Sequence, residues 1–151
     1  MKYALLSALL FLYSCSNQPA TTAKQEPEKI RTITFNNAGG QLGFSSHLVF
    51  TPDSVFYLRH IHMTPESNDS FRRANTSEAW QALTGDLQLD SFRNAVDGPS
   101  VQPVDGIDTE ISILTTRDTI TKTNARESGE WMRLQMKAEA YLETIQQETS
   151  Q

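Results

Sequence analysis

One helix constrains this chain more than any other stretch. From Glu130 to about Gln147, the residues Trp131, Leu134, Ala138, Tyr141, Leu142 and Ile145 recur at three- and four-residue steps and form one apolar stripe. A stripe of that kind has to be buried against a second layer. The second layer stands directly before it. Thr109 to Leu114 and Thr119 to Thr123 alternate Ile111, Ile113 and Ile120 with polar residues around a tight turn at Thr115 to Asp118, the pattern of a half-buried hairpin. Ser128 is the expected N-cap, and Glu130 suits the positive end of the helix dipole. Arg133, Lys137, Glu139 and Glu143 fall on the opposite face and are expected in solvent.

A weaker form of the same unit precedes it. Thr32 to Phe35 alternates as a strand, and Ser45 to Phe50 and Ser54 to Ile61 flank Thr51-Pro52-Asp53-Ser54, where proline presets the turn. A two-residue turn pairs Phe50 with Val55 and Leu48 with Tyr57, placing Leu48, Phe50, Val55, Tyr57 and Ile61 on one face. His47, Val49, Phe56, Leu58, His60 and His62 fall on the other; both faces hold apolar residues, so cover on both sides is open. Thr64 to Asn75 reads as a loop. Asn75-Thr76-Ser77-Glu78 has the form of a capping box ahead of a helix carrying Ala79, Trp80, Leu83 and Leu87, with Trp80 as a core anchor. Leu89, Phe92 and Val96 suggest a short second helix capped by Asp90. The predicted architecture is α+β: a single antiparallel sheet of four to five strands with helices packed on one face, arranged as two hairpin-plus-helix halves.

Two loops invite functional readings and lose them on spacing. Asn36 to Gly43 is glycine-rich, but a phosphate cradle needs a helix N-terminus next, and a strand follows; a turn or bulge is expected. Asp97, Asp105 and Asp108 lack the close Asp-x-Asp-x-Asp-Gly spacing of a calcium loop, so turn and capping duties are expected.

The front of the chain bears on location. After Lys2, the run from Tyr3 to Tyr13 is apolar but only about half the length of a membrane-spanning helix, which fits the h-region of a secretory signal. Leu12-Tyr13-Ser14-Cys15 resembles the bacterial lipobox. That resemblance implies a signal over residues 1–14, a diacylglycerol on the Cys15 thiol, and anchoring through acyl chains at about 0.8 kcal/mol per buried methylene. Cys15 is the only cysteine, so lipidation leaves no thiol for disulfides, metal or catalysis. Residues 15–31, rich in Gln, Thr, Pro and mixed charge, read as a lipidated cysteine and flexible tether, leaving 32–151 as one domain. Ser16 and Asn17 lack the aspartate that resembles an inner-membrane retention signal. The expected location is the outer membrane, facing the periplasm.

From Thr32 onward there are nine Lys/Arg against sixteen Asp/Glu, a net charge of −7, which repels nucleic acid. No Gly-x-Ser-x-Gly, His-Glu-x-x-His, Walker or Rossmann pattern stands in the right context, and catalysis is not expected. His47, His60 and His62, on one face of the predicted hairpin, are candidate ligands for zinc or copper, because diagonal cross-strand neighbours lie about 7–8 Å apart. Asp53-Ser54-Val55 and Asp118-Thr119-Ile120 resemble the acceptor pattern for protein O-glycosylation in Bacteroidota, and turn followed by strand explains them equally. Two functions are therefore expected: a lipid-anchored module that binds a protein partner or envelope component, in the manner of small periplasmic inhibitor or immunity proteins, or a periplasmic metal or small-ligand binder using the histidine face.

Overall fold

The computed structural model describes residues 26–149; the signal segment and Cys15 lie outside the described residues. Six strands form one open antiparallel sheet: β1 (Ile30–Gly39), β2 (Phe44–Phe50), β3 (Ser54–Ile61), β4 (Asp69–Ala74), β5 (Ile107–Thr115) and β6 (Thr119–Thr123), in the spatial order β4-β3-β2-β1-β5-β6. Helices α1 (Ser77–Thr84) and α2 (Leu89–Arg93) follow β4, and α3 (Gly129–Thr149) follows β6. The chain thus runs as a four-stranded meander with two short helices, then a hairpin with one long helix. The hairpin attaches by pairing β5 with β1.

The expected four to five strands become six because of β4, inside the stretch read as a loop. An edge strand has one neighbour and needs little apolar surface. Here Phe71 supplies it, packed on Tyr57 at a ring separation of 5.4 Å, while Asp69, Ser70, Arg72 and Arg73 are polar. The β2–β3 register is the expected one, with Phe50 opposite Val55 and Leu48 opposite Tyr57; those four residues are buried, and Ile61 is half-buried. β1 begins at Ile30, inside the predicted tether. Glu28 pairs there with Arg93 (2.9 Å) and Arg117 (3.5 Å), and the backbone at Lys29 bonds the β5–β6 turn at Thr116.

All three helices lie on one sheet face: Leu83, Phe92, Trp131, Leu134 and Ala138 share a buried cluster with Ile33, Phe35, Leu48, Phe50, Val55, Ile111, Ile113 and Ile120. Helix α3 crosses the whole sheet. Its Trp131 Nε1 donates to the Lys122 carbonyl on β6 (3.4 Å), its Tyr141 ring packs on Phe50 of β2 (5.0 Å), and its Glu148 reaches Arg73 of β4 (2.9 Å). A helix of 21 residues is ~30 Å long, and six strands span ~24 Å, so its length matches the sheet it covers. Trp131 and Leu134 are buried to 1% exposure or less. Burying an indole of this size contributes most of the ~3–5 kcal/mol that truncating it costs.

Several local expectations shift by a residue or a partner. Thr76, not Asn75, caps α1, accepting from the Ala79 amide (3.1 Å); Asn75 instead donates to the Thr51 carbonyl (2.7 Å) and ties α1 to the β2–β3 turn. Gln88, not Asp90, stands at the N-cap of α2, and Val96 lies beyond that helix at 81% exposure. Trp80 is half-buried at the margin of the core. Ser128 sits at the start of α3 as expected, with its Oγ 3.4 Å from the Trp131 amide. Arg133 and Lys137 do not simply face solvent. Arg133 pairs with the buried Glu130, whose other oxygen accepts from the Gln88 amide, and Lys137 reaches Asp86. These contacts hold the α1–α2 segment against α3.

The glycine-rich segment is the β1–β2 hairpin. Gly39 packs so closely on the Gly106 carbonyl that a β-carbon would stand 2.3 Å from its oxygen, and its positive φ of 136° is one that only glycine adopts freely. The three loop aspartates are used locally: Asp97 accepts from the Thr123 amide, Asp105 from the Gln41 side chain, and Asp108 from Ser100, Val101 and Asn124.

Candidate binding face

Side chains alternate across each strand, so every residue one step out of register with the core points away from the helices. On β1 these are Thr34 and Asn36, on β2 His47 and Val49, on β3 Phe56 and Leu58, on β4 Ser70 and Arg72, on β5 Glu110 and Ser112, and on β6 Thr121 and Thr123. No described element covers this face. Its open state settles which side of the β2–β3 hairpin is core: Val49 and Phe56 are half-buried only by their neighbours, and Leu58 is 44% exposed.

Five side chains from five strands form a connected strip across it. Glu110 Oε1 accepts from Asn36 Nδ2 at 3.0 Å, and Asn36 Oδ1 lies 2.6 Å from His47 Nδ1. Since the Asn36 amide nitrogen serves Glu110, its oxygen faces the imidazole, so Nδ1 carries the proton and Nε2 is left as the ring's other polar atom. The His47 ring meets Phe56 edge-on at 6.1 Å, and the Arg72 guanidinium lies over Phe56 at 5.4 Å. A carboxylate therefore stands at one end of the strip and a guanidinium at the other, with an amide, an imidazole and a phenyl ring between them. Threonine and serine flank it at Thr34, Ser112 and Thr121, where the Ser112 and Thr121 hydroxyls bond each other at 2.8 Å.

The three histidines are placed differently from a metal cage. His47 and His60 share this face and are diagonal neighbours, as the register requires, since His47 stands opposite Leu58. Yet Nδ1 of His47 turns toward Asn36 on β1, whereas Nδ1 of His60 turns toward Asn68 beside β4 (3.1 Å). His62 lies past the end of β3, where its amide donates to the Gly43 carbonyl (3.2 Å). Among the described residues, no three His, Cys, Asp or Glu side chains come together to hold a metal ion. The two Asp-Ser/Thr-aliphatic triplets do sit at turns; Thr119 is exposed, whereas Ser54 is half-buried with its hydroxyl 3.0 Å from that of Thr51.

On the helix side, α1 and α3 leave a groove of about 330 Å³ floored by Phe50 and walled by Ala79, Ala82, Leu83, Ala140 and Tyr141. Burial raises the Tyr141 hydroxyl above its ordinary value, with Glu148 adding to the shift and Arg73 opposing it. The groove exists because alanines line both helices where larger side chains would meet. No helix among the described residues is long and apolar enough to cross a membrane.

Local alternation in the sequence places His47 and Phe56 on one hairpin face but does not supply their partners. Asn36 and Glu110 become neighbours of His47 only through the pairing of β1 with both β2 and β5, and Arg72 only through β4. No protein-family model matches the chain, and no curated protein is significantly similar to it in sequence.

Proposed function

We propose that this chain is the folded part of a lipid-anchored envelope protein that acts without catalysis, binding a protein or another envelope component through its uncovered sheet face. The observation that supports this reading is the strip from Glu110 to Arg72. A face that only had to stay solvated would need no fixed contacts between its side chains. Here the side chains are already held by one another, so less rotamer freedom is lost when a ligand arrives. The strip also offers mixed recognition chemistry: a carboxylate, an imidazole nitrogen, an aromatic ring and a guanidinium on one sheet face. Lipid on Cys15 would keep that surface at the membrane and raise its effective concentration toward envelope partners.

The test is extraction of the full-length protein from its native membrane in gentle detergent, beside a His47→Ala, Phe56→Ala double variant. Intact mass, metal content and co-isolated material are measured on both. The expected result is an acylated Cys15, and a stoichiometric partner that the double variant loses while its circular dichroism is unchanged. Full retention of the partner by the folded double variant would remove the sheet face from the proposal. A mature mass without lipid would remove the anchor. Stoichiometric zinc or copper in the parent would favour a metal-handling role for His47, His60 and His62 instead.

A further inference from the structure

The two edges of the sheet are not alike. On β6, the residues whose backbone groups turn outward are Thr119, Thr121 and Thr123, and the last of these is closed off: its amide donates to Asp97 Oδ1 (2.7 Å) and its carbonyl accepts from the Gly98 amide (3.0 Å). On β4 nothing comparable exists among the described residues. Ser54 bonds back to Thr51, just past the end of β2, so alternation gives Val55, Tyr57 and Arg59 to β4, and they take up Arg73, Phe71 and Asp69. The amides and carbonyls of Ser70, Arg72 and Ala74 therefore point away from the sheet. A strand edge of this kind is a template for another strand, and proteins usually blunt it with short length, charged side chains, proline, a bulge or a covering segment. β4 is short and carries Asp69, Arg72 and Arg73, but it has no proline, its register is continuous, and no described segment covers it.

The charge of this edge says what kind of strand fits. The domain is acidic, yet Arg72 and Arg73, its only adjacent cations, both lie on β4 and project from opposite faces. Neither extends across the edge. The Arg72 guanidinium is laid over Phe56 at 5.4 Å, and that of Arg73 over Phe71 at 5.3 Å, which leaves the backbone approachable between them. Arg73 already pairs with Glu148, whereas Arg72 makes no ion pair among the described residues. We propose that β4 is a strand-addition site for an extended, acidic segment of a partner protein, with a carboxylate of the incoming strand directly opposite Arg72. This deepens the binding-module reading and rests on it: the added strand extends the sheet, and its outward side chains continue the strip that ends at Arg72. Main-chain bonds would supply affinity, and the carboxylate–guanidinium pair would supply choice.

The test uses the full-length chain in its native host, with the photo-crosslinking residue p-benzoylphenylalanine placed at Ser70, at Thr34 in the middle of the open face, or at Thr121 on the other edge. Crosslinked peptides are mapped by mass spectrometry. The expected result is a crosslink from Ser70 to a segment carrying Asp or Glu. Its yield should fall about tenfold or more with Arg72→Glu and persist with Arg72→Lys. It should also fall with Ala74→Pro, which removes an outward amide without removing a β3–β4 bond, in a variant shown by its melting curve to be folded. Crosslinks from Thr34 or Thr121 with none from Ser70 would overturn the edge site and leave the binding-module reading standing. No crosslink from any of the three positions would remove both. A product joined to a second copy of this chain, or to a segment without carboxylates, would overturn the acidic partner strand.

Discussion

The two faces of the sheet are built from the same six strands and obey different rules. On the helix side, Ile33, Val55, Ile111 and Ile113 are fully buried, and the side chains that meet them from α2 and α3, Phe92 and Trp131, are buried as well. Shape and volume decide each of those positions. On the open side, Thr34, Ser112 and Thr121 would be enough to keep a strand in water, and yet Glu110, Asn36, His47, Phe56 and Arg72 are linked into one strip. The covered face accounts for the fold without the strip. The difference therefore teaches where stability and recognition can be separated in this molecule.

The largest expected effect tests the covered face. Trp131→Ala removes a fully buried indole and its bond to the Lys122 carbonyl, where α3 first meets the sheet, and should cost about 3–5 kcal/mol in urea unfolding. A loss under about 1 kcal/mol would mean that α3 is not held by this residue and that the two faces differ less than their burial implies. The matching change on the open face, Phe56→Ala, removes the ring under Arg72 and beside His47. Phe56 is only half-buried, and a cation–π contact outside the core contributes about 0.5–1 kcal/mol, so the cost should stay well below that of Trp131→Ala. A cost near that of Trp131→Ala would show that the open face carries the fold too, and would undercut its assignment to binding.

How much of this was legible in the sequence follows from the same contrast. The β2–β3 hairpin, the β5–β6 hairpin and α3 announce themselves because one side of each is buried, and burial writes a period of two or 3.6 into the residues. β4 was not legible: as an edge strand it carries one inward apolar residue, Phe71, between polar neighbours. The cap of α1 was misplaced by one residue because Asn75 and Thr76 can both cap, and only the position of the Thr51 carbonyl decides between them. The strip was half legible. Local register puts His47 on the open face, but Asn36 reaches it through the β1–β2 pairing and Glu110 joins only through the β1–β5 pairing, which brings together residues 74 apart in sequence. Asn124 was invisible for the same reason. Its left-handed backbone (φ 47°) and buried amide, bonded to the Thr109 amide, the Pro99 carbonyl and Asp108, are set by segments that only tertiary structure brings together.

Asp108 joins the two rules at the start of β5, and it gives the smallest effect. Its carboxylate is held below the ordinary range first by the Ser100 hydroxyl, then by the Val101 amide and the Asn124 side chain. A depressed carboxyl favours the folded state when ionised. Its contribution is therefore complete above the unfolded value of about 4 and is lost as pH falls below that, through the lower folded value. Asp108→Asn should leave the urea midpoint at pH 7 slightly lower and make its decline below about pH 4 shallower than in the parent. Some decline should remain, because Asp86 is held low by Lys137 in the same direction. Parallel acid limbs in the two proteins would mean that the loop from Pro99 to Val101 is held by packing alone. A shallower limb in the variant would show that this open-face corner of the sheet is fastened by an ionised group.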